Sequence, residues 1–130
     1  MQTEDVVHVL HNMIESVSLG GLVLDLQVIR PDPVVETGNE RLSGITGEPF
    51  FELADAATAA VDEAIRAGLL AEEAIDDHDV RKHYPDGADV IADFADKKRR
   101  ILDPQRVRGC LQPCVVRERC RLRRLRVDHA

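Results

Sequence analysis

The stretch Leu19-Gly20-Gly21-Leu22-Val23-Leu24-Asp25-Leu26-Gln27-Val28-Ile29-Arg30 decides how the chain folds. A glycine pair opens it, a mostly apolar run follows, and Arg30-Pro31-Asp32-Pro33 stops it. A near-continuous run of Leu, Val and Ile at this length predicts a strand buried on both faces, of the kind that sits inside a parallel or mixed sheet covered by helices. Such a strand needs neighbours, and the number it finds bears directly on function.

Composition bounds the answer. The 130 residues fit a single domain spanning residues 1–130, large enough to bury about two-thirds of the surface of the unfolded chain. With 44% hydrophobic residues, no Trp, one Tyr and three Phe, the core must be aliphatic. No run approaches the ~18 apolar residues of a membrane helix, and the N-terminus lacks the basic-then-apolar pattern of an export signal. Cys110, Cys114 and Cys120 form an odd set without a secretory pattern, which predicts reduced thiols in a cytoplasmic protein.

The net charge of -7 conceals a division. Residues 1–96 hold 21 acidic and 5 basic side chains, whereas residues 97–130 hold 3 and 12. The favoured reading is a basic tail that folds back on an acidic body. The sharper alternative is a surface for nucleic acid or another acidic partner, because clustered arginine is the electrostatic footprint of phosphate binding.

Helical spacing of Val6, Val7, Leu10, Met13, Ile14 and Val17 predicts a first helix over residues 4–17 with that face in the core. Thr3 suits its N-cap, and Glu4 and Asp5 suit the positive end of its dipole. His8 and His11 are read as boundary residues, since nothing at matching spacing completes a metal site. Gly20 and Gly21 end the helix. After the opening strand, Val34-Val35-Glu36-Thr37 and Arg41-Leu42-Ser43-Gly44-Ile45 flank Gly38-Asn39 and suggest a short hairpin inside a loop.

A second helix is predicted over residues 49–67, with Pro49 in its first turn. Its inner face carries Phe50 or Phe51, then Leu53, Ala57, Ala60, Val61, Ala64 and Ile65, and Gly68-Leu69-Leu70 closes it as a Schellman ending. Residues 70–84 lose the helical period and read as a half-exposed edge strand. Asp86 and Asp89 form a capping pair for a third helix through about Arg100, whose Lys97-Lys98-Arg99-Arg100 run suits a helix C-terminus. The last element, residues 114–127, alternates Arg117, Arg119, Arg121 and Arg123 on one face with Val116, Cys120 and Leu122 on the other. The alternation slips at Arg123-Arg124, so Leu125 and Val127 share the arginine side unless a bulge intervenes. Asp76, Asp77 and Asp79 are the acids expected to face these arginines across neighbouring strands.

The fold class that follows is α/β (α+β), a small mixed sheet of about three main strands covered by about three helices. The order of its parts resembles the C-terminal half of a class I S-adenosylmethionine-dependent methyltransferase. The resemblance runs from the helix bearing Val9-Leu10-His11-Asn12-Met13, through Gly20-Gly21 and the apolar strand, to the helix ending in Gly68-Leu69-Leu70, the edge strand and the final strand. Leu19 stands where that family usually has Pro. The family's glycine loop after the first strand and its acid after the second have no counterpart here. The resemblance therefore implies a Rossmann-like fragment without autonomous catalysis and with no cofactor expected for the isolated chain. Such a fragment works by self-association as a homodimer or as partner of a separate cofactor-binding subunit; methyltransferase activity in an assembled complex is the alternative.

Other chemistry has little support. Ser16, Ser18 and Ser43 lack a nucleophile-elbow context, and the acids Glu72, Glu73, Asp76, Asp77 and Asp79, near His78 and His83, lack the spacing of a calcium loop. Cys110, Cys114, Cys120 and His129 match no standard zinc spacing, so no metal and no catalytic residue is assigned. The residues expected to carry interaction are Leu22, Leu24, Leu26 and Val28 on the opening strand, and Arg117, Arg119, Arg121 and Arg123 on the last, the latter for nucleic acid or an acidic partner.

Overall fold

A computed structural model describes residues 3–48 and 50–128, with side chains from residue 5 onward. The expected roles of the Thr3 and Glu4 side chains, and of Pro49 and His129, lie outside what is described. The elements run α1 (Thr3–Ser16), β1 (Leu22–Val28), β2 (Val34–Thr37), β3 (Glu40–Gly44), α2 (Phe50–Arg66), β4 (Leu70–Tyr84), α3 (Gly87–Phe94), α4 (Pro104–Arg108) and β5 (Cys114–Val127). The fold is a small α+β one. Its sheet has five strands in the order β1-β5-β2-β3, with β4 also pairing β5. Pairing is antiparallel in β1 with β5, β2 with β3 and β2 with β5, so the expected mixed sheet of about three strands is an antiparallel one of five.

Two compact units divide the chain, one of residues 3–28, 50–78 and 120–128 and one of residues 29–48 and 79–119. In the first, Leu10 and Ile14 of α1 meet Ala60, Val61 and Ala64 of α2 over Val23, Leu70, Leu125 and Val127. The alanines let α2 approach closely, and each of the larger side chains buried here contributes about 1.5–3 kcal/mol. Two hydrogen bonds close α2, from Gly68 N to Ile65 O at 3.0 Å and from Leu69 N to Ala64 O at 2.9 Å. With Gly68 at φ +78°, they make the expected Schellman ending.

The core face of α1 is narrower than its periodicity suggests. Val7, Val9 and Met13 are more than 40% exposed. A helix short of neighbours can present an apolar flank to water, and hydropathy alone does not distinguish that flank from a buried one.

In the second unit the Gly38-Asn39 turn joins β2 to β3, with Gly38 at φ +55° and a register shift between Val35 and Glu36. Val35, Leu42 and Ile45 pack with Tyr84, Val90, Phe94, Ile101, Val107, Cys114 and Val116. Asp86 caps α3 by accepting from Asp89 N at 2.9 Å, as its spacing predicts. The helix stops at Phe94, so the Lys97–Arg100 run follows it instead of forming its last turn. The short α4 has no counterpart in the sequence reading, although Asp103 at its N-cap and Pro104 in its first turn are an ordinary start signal. A side chain at Gly87 would collide with Val107 O at 1.6 Å, so only glycine lets α3 begin there.

The ranges read for β4 and β5 match the observed ones, but the reading of β1 as buried on both faces is overturned. Val23 is its one fully buried residue, while Leu22, Leu24 and Leu26 are 43%, 62% and 57% exposed. Among the described residues β1 pairs only with β5, so it is an edge strand with one apolar face in water. A run of alternating Leu and Val reads the same whether the second face meets a helix or solvent.

The slip in β5 is visible in its burial. In the second unit the buried residues of β5 are the even-numbered Cys114 and Val116. In the first they are the even-numbered Cys120 and then the odd-numbered Arg123, Leu125 and Val127. The register with β1 runs unbroken from Leu22↔Arg126 to Val28↔Cys120, so no bulge is needed there. The buried set of β5 thus changes from even to odd positions between Cys120 and Arg123, within the first unit.

Candidate interaction surface

The arginines of β5 are engaged. Arg117 Nε donates to Glu36 Oε1 at 3.0 Å and its guanidinium also reaches Asp79. Arg119 pairs with Asp79 at 3.3 Å, and Arg121 with Asp77 at 2.8 Å. Arg123, with a side chain only 7% exposed, is held between Asp62 of α2 at 2.9 Å and Glu72 of β4 at 2.6 Å. Arg124 and Arg126 share Glu73, whose carboxyl is held below the usual range chiefly by the Arg126 hydrogen bond. Asp76, expected among these partners, faces His78 instead. Glu36, Asp62, Glu72 and Glu73 were missed as partners: two come from other elements and two from neighbouring β4 positions, a matter of tertiary placement. A phosphate would have to displace these carboxylates to reach the arginines.

A second polar cluster ties β4 to α3. Tyr84 donates its hydroxyl to Asp93 Oδ2 at 2.5 Å, and Lys82 and Lys97 donate to the same oxygen at 3.0 and 3.2 Å. Burial and the Asp93 carboxylate push the Tyr84 hydroxyl up to about 12. Hydrogen bonds from Tyr84, Lys82 and Lys97 hold Asp93 far below the ordinary carboxylate range. An oxygen with three donors is a poor base, so the cluster reads as a clamp and not as a catalytic group.

The glycine pair has a structural duty as well. Gly20 takes φ +81° and donates to Val127 O at 2.8 Å. A Cβ on Gly21 would lie 2.4 Å from Val17 Cγ1. Both glycines are thus used in turning from α1 into β1. Among the described residues no group of three or more His, Cys, Asp and Glu side chains is placed to hold a metal ion, and no helix is long and apolar enough to cross a membrane.

Among the described residues, the outer edge of β1 has no partner strand. Leu22, Leu24 and Leu26 line one face, opposite Arg126, Arg124 and Leu122 of β5. Val9 and Met13 of α1 border the same edge in a shallow apolar groove with Leu22 and Leu24. Asp25 is the one charged residue in the strand. Its Oδ1 accepts from Gln27 Nε2 at 2.8 Å, while its buried Oδ2 has no hydrogen-bond partner among the described residues. Val28, half-buried, ends the strand opposite Cys120. Three of the four aliphatic residues singled out on this strand are therefore gathered on an open face.

Compared with protein-family models, curated proteins and solved structures, the chain matches none of them.

Proposed function

We propose that this chain is an assembly unit that joins a second copy of itself by antiparallel pairing of β1 with β1 of the copy. The observation that carries the reading is an edge strand with neither lysine, proline nor bulge, its leucines in water. Natural sheets shield such edges unless the edge is used. Pairing about a two-fold axis at Leu26 sets Asp25 opposite Gln27 of the copy and Leu24 opposite its Val28. The second amide hydrogen of Gln27 can then reach the orphaned Oδ2 of Asp25. Because a two-fold repeats every contact, one complementary pair satisfies both copies.

The methyltransferase-like reading leads to the same edge. Both β4 and β1 pair with β5, which leaves the far side of β1 for a strand from elsewhere. This arrangement supports a fragment that is silent alone, whose joining strand comes from a copy or from a cofactor-binding chain.

Size-exclusion chromatography with light scattering tests the proposal. A dimer is expected, weakened about a hundredfold or more by Leu24→Lys with Leu26→Lys, since each lysine brings a charge into the leucine face. A strict monomer at high concentration, or a dimer indifferent to both lysines, overturns it. Calorimetry of the isolated chain with S-adenosylmethionine is expected to show no heat; a saturable titration would make the chain an enzyme in its own right.

A further inference from the structure

Cys110 and Cys114 are free thiols whose Sγ atoms lie 3.5 Å apart. Cys110 follows α4 and is half-buried; Cys114 opens β5 and is fully buried. Both thiols lie within reach of one acceptor, the Gln112 carbonyl, at 3.5 and 3.4 Å. The intervening residues Leu111, Gln112 and Pro113 lie outside regular structure, and Leu111 is 89% exposed. A disulfide needs its sulfurs at about 2.05 Å, so the two have only a short distance to close across an exposed turn.

We propose that Cys110 and Cys114 form a thiol–disulfide exchange site, in which Cys110 is the attacking thiol and Cys114 the resolving one. Its co-reactant is a small-molecule disulfide. Cys110 loses its proton to water, and its thiolate attacks one sulfur of the co-reactant, forming a mixed disulfide and expelling one thiolate. Cys114, deprotonated in turn, attacks Cys110 Sγ and expels the second. The protein dithiol becomes a disulfide as the co-reactant is reduced to two thiols, so electrons and protons balance.

The surroundings divide the roles. Burial raises Cys110, but hydrogen bonds involving the Gln112 backbone and the Cys114 and Thr37 side chains outweigh it, leaving the thiol below its usual value. Burial, with the Cys110 hydrogen bond, pushes Cys114 up to about 11. The acids facing the pair are Glu40 toward Cys110 and Asp86 toward Cys114, and both oppose the thiolate. The more accessible sulfur is therefore the better nucleophile, as an exchange site requires. Cys120, buried on β5, is the internal control.

The test is intact-mass spectrometry of the reduced, folded chain after incubation with oxidised glutathione. The wild type is expected to lose the mass of two hydrogens with no glutathione retained. Cys114→Ser should trap one glutathione on Cys110, and Cys110→Ser should react about tenfold more slowly, because the higher pKa of Cys114 is only partly offset by its greater intrinsic nucleophilicity. Retention of glutathione by the wild type, equal rates for the two serine variants, or first modification at Cys120 overturns the proposal. The wild-type mass decides even if one serine variant fails to fold.

Discussion

Strands β1 and β4 both pair with β5, and their surfaces differ sharply. β4 is acidic and largely exposed, and four of its carboxylates, Glu72, Glu73, Asp77 and Asp79, reach arginines of β5, while Asp76 faces His78. β1 carries one charge and three exposed leucines, and nothing in the described residues covers them. Charged side chains on an edge repel a stray strand, while a regular apolar edge invites one. The acids of β4 are thus met by arginines within the fold, whereas the leucines of β1 stay in water.

The sharpest way to break this contrast is to truncate leucines on the two sides of the sheet. Leu125→Ala on β5, at a fully buried position, should cost about 3–4 kcal/mol in urea unfolding. Leu24→Ala should cost no more than about 0.5–1 kcal/mol in the monomer. Equal losses would mean that Leu24 belongs to a core.

Next in size is the ion-pair set around Arg123. Arg123→Ala strands Asp62 and Glu72 without their cation, and it should lower stability by about 2–3 kcal/mol, below the usual figure for a buried pair because both acids keep some water. Arg124→Ala, on the exposed face, should stay within about 0.5 kcal/mol. If the two variants unfold alike, Arg123 is solvated and the arginines of β5 are freer than their geometry implies.

Leu24→Lys sharpens the comparison from the other side. Thermal melts in dilute solution should shift by no more than the equivalent of about 0.5 kcal/mol, while self-association measured by light scattering falls. A loss of both together would tie the leucine face to folding instead of assembly.

The smallest effect is the titration of β4. Glu73 is depressed in the folded state, so its contribution is complete above its ordinary pKa of 4.5 and is lost as pH falls below that. The difference in urea midpoint between wild type and Glu73→Gln should therefore be constant from neutral pH to about 5 and shrink toward zero on further acidification. A difference that grows in acid would show that Glu73 is protonated more readily in the folded chain.

Local chemistry made much of this fold legible. The ranges of β4 and β5, the Gly68 ending, the Asp86 cap and the Gly38-Asn39 hairpin all follow from signals within a few residues, since turns and caps are decided by neighbouring backbone groups. The slip at Arg123-Arg124 was also visible, and so was the need of the β5 arginines for acids. Other features lay beyond such signals. That β5 changes its buried positions from even to odd between Cys120 and Arg123, that β1 is an edge, and that Val7, Val9 and Met13 face water depend on which elements arrive to cover them. Arg123 meets Asp62 and Glu72 across gaps of about fifty to sixty residues, and Cys110 meets Cys114 through a turn and not a helix. The sequence by itself determined most of the turns and most of the strands and helices, with α4 and the end of α3 excepted, because those choices are made largely by adjacent atoms. Only the tertiary structure decided which apolar face stays in water and which charges meet, because burial and pairing are properties of whatever packs alongside.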